Sequence, residues 1–112
     1  MEDGDTISAL STPAGEGGIG IIRLSGRQAR PILDRIFHRA TPGQLSSRRL
    51  YLGHIVDPQS EGVLDEVLAV YLSKPHTYTR EEMVEIHCHG GFTVQQAILR
   101  LTLREGARLA EP

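Results

Sequence analysis

Hydrophobic and polar positions alternate with a period of two in some stretches and recur every three to four residues in others, which divides the chain into strands and helices. Thr6 to Ser11 (TISALS) reads as a first strand, with Asp3-Gly4 before it and Thr12-Pro13-Ala14-Gly15 after it. Gly15-Glu16-Gly17-Gly18 is too glycine-rich for regular structure and reads as a turn. Ile19 to Leu24 (IGIIRL) has the length and β-branched content of a buried second strand. Ser25 and Gln28 have capping-box spacing, so a helix is predicted from Ser25. Its apolar stripe is Ala29, Ile32, Leu33, Ile36 and Phe37, at i, i+3, i+4, i+7 and i+8. Pro31 falls inside that pattern. Proline is tolerated only in a first turn, so the helix is expected to start late or to kink.

Arg39 to Arg48 is polar, contains Pro42 and Gly43, and reads as a loop. Leu50 to Val56 and Val63 to Leu72 read as the third and fourth strands, joined by a turn from Asp57-Pro58 to Gly62. Val67 to Leu72 is apolar on both faces, as in a central strand. A loop follows over Lys74 to Glu81. Met83 to Cys88 is a fifth strand with clean alternation: Val84, Ile86 and Cys88 share one face, and Met83, Glu85, His87 and, just beyond, His89 share the other. Gly90-Gly91 ends it. A second helix is predicted over Thr93 to Arg104, with Thr93 and Gln96 at capping-box spacing and Val94, Ala97, Ile98, Leu101 and Leu103 as its apolar face. Gly106 is the expected C′ residue, and Ala107 to Ala110 a last short strand. The sum is an α/β (α+β) fold, one compact domain with a mixed sheet of five or six strands and two or three helices.

Composition narrows the function classes. A chain of 112 residues is one domain, able to bury roughly two-thirds of its unfolded surface. The net charge of -2 supplies no basic field for nucleic acid, and three Tyr, two Phe and no Trp supply no aromatic platform for stacking bases. The single cysteine, Cys88, excludes an internal disulfide. The opening Met1-Glu2-Asp3-Gly4-Asp5 is acidic where a signal peptide is basic, and no apolar run approaches the roughly 20 residues of a membrane span. A cytoplasmic location without membrane contact is therefore expected.

Gly15-Glu16-Gly17-Gly18-Ile19-Gly20 spells G-x-G-x-x-G, yet the dinucleotide motif needs a helix after its last glycine and this one opens a strand pattern. No G-x-x-x-x-G-K-[ST] occurs, so the chain has no P-loop for GTP or ATP. His87-Cys88-His89 suggests metal ligands, but the two histidines have only Glu85 as a nearby third donor, and Cys88 on the apolar face reads as a small buried hydrophobe. No metal residue and no catalytic residue is assigned. Arg23, in the middle of an apolar strand, needs an anion or a route to solvent; Glu85, flanked by Val84 and Ile86, is the matching oddity. Either the two satisfy each other or solvent, or they form a pocket. In the pocket reading the carboxylate accepts two parallel N–H bonds from a heterocycle while the arginine meets an anionic tail.

Three segments carry a resemblance. DTISALSTPAGEGGIGIIRLSG (Asp5 to Gly26), HTYTREEMVEIHCHGG (His76 to Gly91) and GARLAEP (Gly106 to Pro112) resemble the amino-terminal domain of the MnmE (TrmE) family of tRNA-modifying GTPases. The likeness covers nearly the whole chain in order and spacing; Arg39 to Arg48 carries little of it. It implies a fold similar to tetrahydrofolate-binding domains, a bound 5-formyl- or methylene-tetrahydrofolate as one-carbon source, and a homodimer formed through this domain. It further implies that the whole protein works with the FAD-dependent partner MnmG (GidA). Together they add a carboxymethylaminomethyl-type group to carbon five of the wobble uridine of tRNA, while GTP hydrolysis that requires K+ and Mg2+ drives domain rearrangement in the complex. Arg23 and Glu85 match the folate-contacting arginine and glutamate of the family. Residues 1–112 would then be the folate-binding and dimerisation domain; the family's helical and GTPase domains, its terminal cysteine motif and a further folate-contacting lysine are not in this sequence. Two other readings stand beside this one: a dimerisation module with an incomplete folate pocket, and an autonomous small enzyme using His87, His89 and Glu85 as acid–base groups.

Overall fold

The computed structural model describes residues 5–12, 18–73 and 81–110. Most of the glycine-rich turn and most of the loop after Leu72 lie outside the described residues. The elements run β1 (Ile7–Thr12), β2 (Gly20–Ser25), α1 (Ala29–Ile36), β3 (Phe37–Arg39), β4 (Leu50–Val56), β5 (Val63–Leu72), β6 (Met83–Cys88), α2 (Phe92–Arg104) and β7 (Arg108–Leu109). They form one seven-stranded sheet in the order β3-β4-β5-β6-β2-β1-β7. Neighbours are antiparallel except β1 and β7, which run parallel, so the sheet is mixed as expected.

The sheet has one strand more than the upper expectation, and the addition is β3. Phe37 fits the apolar stripe of α1, but the helix stops at Ile36 and Phe37 turns extended, at φ -109 and ψ 122. It then pairs with Ile55, and His38 and Arg39 pair with His54 and Gly53. Helical periodicity and a buried strand residue look alike at a single position, which is why the sequence pattern absorbed Phe37 into the helix.

Neither predicted capping box forms. The N-cap of α1 is Gln28 and that of α2 is Gly91, and neither makes a side-chain cap bond. Ser25 instead ends β2 and donates its hydroxyl to Glu81 at 2.9 Å. The Thr6 hydroxyl, arriving from before β1, accepts the Gln28 N–H at 2.8 Å, a tertiary contact that no local spacing encodes. Because α1 begins at Ala29, Pro31 is its third residue and gives up only an amide that has no helical partner. The end of α2 follows expectation. Gly106 has φ 121, and the bonds from Gly106 N–H to Leu103 and from Ala107 N–H to Thr102 make a Schellman cap.

Both helices cover the same face of the sheet. Ile22 and Leu24 of β2, Val84, Ile86 and Cys88 of β6, and Val67 and Ala69 of β5 meet Ile32, Leu33 and Ile36 of α1 and Ile98, Leu99 and Leu101 of α2 in one core. Each fully buried aliphatic side chain there contributes about 1.5–3 kcal/mol. The buried face of α2 is rotated from the expected one: Gln95 and Thr102 are inside, while Val94, Ala97 and Leu103 are only partly covered. Thr102 donates to the Leu99 carbonyl at 2.6 Å and stands 2.8 Å from the Ser8 hydroxyl, so a polar pair replaces apolar contact under β1. Periodicity scores hydrophobicity, so it passes over a buried polar residue with a partner.

Gly53 sets the join between β3 and β4. A Cβ there would collide with the His38 carbonyl oxygen and stand 2.6 Å from the Phe37 ring. Gly53→Ala is therefore expected to destabilise the domain by about 1–3 kcal/mol. Urea denaturation followed by circular dichroism reads this directly; an unchanged midpoint would contradict the close approach.

Candidate functional site

The side of the sheet opposite the core carries no helix among the described residues, and its polar centre lies where β2 meets β6. The antiparallel register sets Arg23 opposite Glu85. Since paired residues share a face, and Ile22, Leu24, Val84 and Ile86 point into the core, Arg23 and Glu85 both point away from it. His87, two residues after Glu85 on β6, joins them on the same face.

Arg23 uses two nitrogens on one oxygen. Its Nε lies 3.0 Å and its Nη2 2.6 Å from Glu85 Oε2. The other oxygen, Oε1, is 3.1 Å from His87 Nε2. The side chains of Arg23 and Glu85 are 31% and 17% exposed, so the pair is half-buried and reaches solvent. Burial pushes the Glu85 carboxyl up, but the His87 contact and then the Arg23 guanidinium outweigh it and hold it below its ordinary value. The carboxylate is thus ionised at neutral pH. Oε2 is occupied by arginine, while Oε1 keeps acceptor capacity beyond the histidine.

The positions paired directly with Glu85 and His87 across the strands, and with Arg23 on β1, are apolar. Val70 lies opposite Glu85, Leu68 and Ile21 flank His87 on either side, and Ala9 lies opposite Arg23. Further out, Leu50 and Leu52 of β4 are exposed. A charged acceptor in such a setting can bind a flat, donor-bearing molecule, with the apolar side chains covering its faces.

The three neighbours His87, Cys88 and His89 go three ways. Cys88 points into the core, fully buried, and burial, helped by the Asp65 carboxylate, pushes its thiol up to about 12. His89 lies beyond the end of β6 with its Nδ1 2.8 Å from the Glu66 carbonyl. His87 keeps to Glu85. Among the described residues no group of three or more His, Cys, Asp or Glu side chains is placed to hold a metal ion. Two features escaped the sequence pattern. The alternation put Glu85 and His87 on one face but did not link them. Asp65, whose Oδ2 accepts the His89 and Gly90 N–H groups at 2.8 and 2.9 Å, fixes the chain where it leaves β6.

Fold and site together define a one-sided α/β domain with a clamped carboxylate on its helix-free face. The family model described as GTP-binding protein TrmE N-terminus matches residues 6–112 of this chain, and the chain belongs to that family. Among curated relatives, the tRNA modification GTPase MnmE of Geotalea uraniireducens is 56% identical over 108 residues, covering 96% of this chain and 24% of that protein. The protein of the same name from Syntrophobacter fumaroxidans is 58% identical over 109 residues, 96% of this chain and 23% of its own length. That of Alkaliphilus oremlandii is 53% identical over 112 residues, with 96% and 24% covered. The chain thus spans about a quarter of the length of these relatives. Among the described residues no helix is long and apolar enough to cross a membrane.

The depth and high pKa of Cys88 make a thiol prediction. In the native state Cys88 is expected to resist Ellman's reagent at pH 8 and to react as one thiol after denaturation. Prompt labelling of the folded chain would contradict its placement in the core.

Proposed function

We propose that this domain binds a one-carbon tetrahydrofolate, 5-formyl- or methylene-tetrahydrofolate, on the face shared by β2 and β6. Glu85 receives the pterin ring and Arg23 holds Glu85. The observation that carries this reading is the Glu85 carboxylate: ionised, half-buried, gripped by arginine through one oxygen and still able to accept at the other. A pterin presents an amino group beside a ring N–H; one of these donates to Oε1, and the other reaches Oε2 when Arg23 gives up one of its two bonds there. Ile21, Leu68 and Val70 offer apolar contact around it. The site residues therefore fit the group. With Arg23 beside Glu85, the anionic glutamate tail falls to other cations.

Bound folate would supply the one-carbon unit, and the protein would orient it. In this reading the whole protein is a GTPase that modifies carbon five of the wobble uridine of tRNA, working with MnmG. GTP, K+ and Mg2+ belong to a GTPase domain outside these 112 residues. The domain also forms the homodimer, a role supported by the exposed Leu50 and Leu52 on a sheet face that carries no helix among the described residues. The rival reading, a dimerisation module alone, draws on the same cluster, since Arg23 and His87 already satisfy much of Glu85.

Isothermal titration with 5-formyl-tetrahydrofolate separates the two. The wild-type chain is expected to give a saturable heat. Glu85→Ala should weaken binding about a hundredfold or more with an unchanged far-UV circular dichroism spectrum. Arg23→Ala should weaken it less. A dimeric mass by light scattering with no heat from the wild-type chain would favour the dimerisation module, and undiminished affinity in Glu85→Ala would sink the pterin assignment.

A further inference from the structure

We propose that His87 is a positioning residue for the Glu85 carboxylate, fixing the plane in which it meets a flat donor-bearing ligand. The ligand class rests on the folate reading above; the geometry does not.

A glutamate side chain ends in a torsion with a broad, shallow preference, so a carboxylate held through a single oxygen still swings about its last bond. Arg23 holds it in that single-oxygen way, with both Nε and Nη2 on Oε2. The second restraint comes from His87, whose Nε2 lies 3.1 Å from Oε1. One clamp comes from β2 and the other from β6 itself, and together they define the carboxylate plane. An N–H lying in the ring plane of a flat ligand meets the open side of Oε1 best when the carboxylate plane matches the ligand's, so a pre-set plane removes an ordering cost from binding.

The neighbourhood leaves this task to His87. Its partners across the strands are Ile21 on β2 and Leu68 on β5, both apolar. Among the described residues, the charged groups around it are Glu85 on its own strand, Arg23 at the next outward position of β2, and Glu66 at the next outward position of β5. Glu66 faces His54, at 3.9 Å. At 23% side-chain exposure, His87 sits at the surface of the sheet, where substitution spares the core.

The test compares His87→Leu, which cannot hydrogen-bond, with His87→Gln, which keeps a donor at similar reach. His87→Asn, polar but too short, stands in for leucine if that variant fails to fold. Two readouts are taken on the 112-residue chain: affinity for 5-formyl-tetrahydrofolate, and titration of the Glu85 carboxyl followed by carbon-13 NMR without ligand. His87→Leu is expected to bind about three- to tenfold more weakly and His87→Gln to recover most of the loss. In the ligand-free titration, Glu85 in His87→Leu should titrate at higher pH than in the wild type. Equal affinity in wild type and His87→Leu overturns the proposal. If the wild-type chain binds no folate, the folate reading falls and the titration alone decides: an upward shift sustains the positioning role, and an unmoved Glu85 overturns it.

Discussion

The register between β2 and β6 is the constraint on which both core and site depend. Six consecutive pairs, from Gly20 with Cys88 to Ser25 with Met83, align the two strands. A slip of one residue would turn every side chain of a strand to the other face. Depending on the strand that moved, Arg23 or Glu85 would then be driven under the helices, while Ile22 or Ile86 would lose its cover. The burial of Ile22, Leu24, Val84 and Ile86 therefore holds the charged pair in place as surely as the pair's own hydrogen bonds do. The core fixes the register, and the register delivers the site.

The charged cluster makes sense as a product of that arrangement. An exposed ion pair contributes little to stability, and a fully buried one carries a desolvation penalty that its attraction barely offsets. Arg23 and Glu85 sit between those limits, on the surface of a sheet whose neighbouring positions are apolar. There the carboxylate stays ionised while losing much of its water, the condition in which a further N–H donor is attracted most. The third member, His87, comes from the same strand as Glu85 and needs only the strand's own two-residue period to arrive.

Much of this was legible in the sequence because it rests on short-range patterns. The strict alternation in Met83 to Cys88 separated Cys88 from Glu85 and His87, and the core position of Cys88 followed. The oddity of Arg23 and Glu85 in apolar strands marked them, and the structure makes them partners. What escaped was long-range. Thr6 caps α1 from 22 residues away, a contact that spacing rules place instead on Ser25. Thr102 is buried because Ser8 waits across the core, and Phe37 leaves its helix because β4 offers a strand to pair with. In each case tertiary partners overrode a local preference of comparable size. The family resemblance was legible for another reason: two unusual charged positions, a glycine-rich segment and the block Glu85-Ile86-His87-Cys88-His89-Gly90-Gly91 occur together and in order.

The proposed tetrahydrofolate site is the β2–β6 face, with Glu85 at its centre. Amide chemical-shift mapping of the 112-residue chain during titration with 5-formyl-tetrahydrofolate tests it most directly. Saturable shifts are expected to concentrate at Ile21, Arg23, Leu68, Val70, Glu85 and His87, with the solvent faces of α1 and α2 unmoved. Saturable shifts confined to the helices or to the β3–β4 edge, with the amides around Glu85 unmoved, would contradict it.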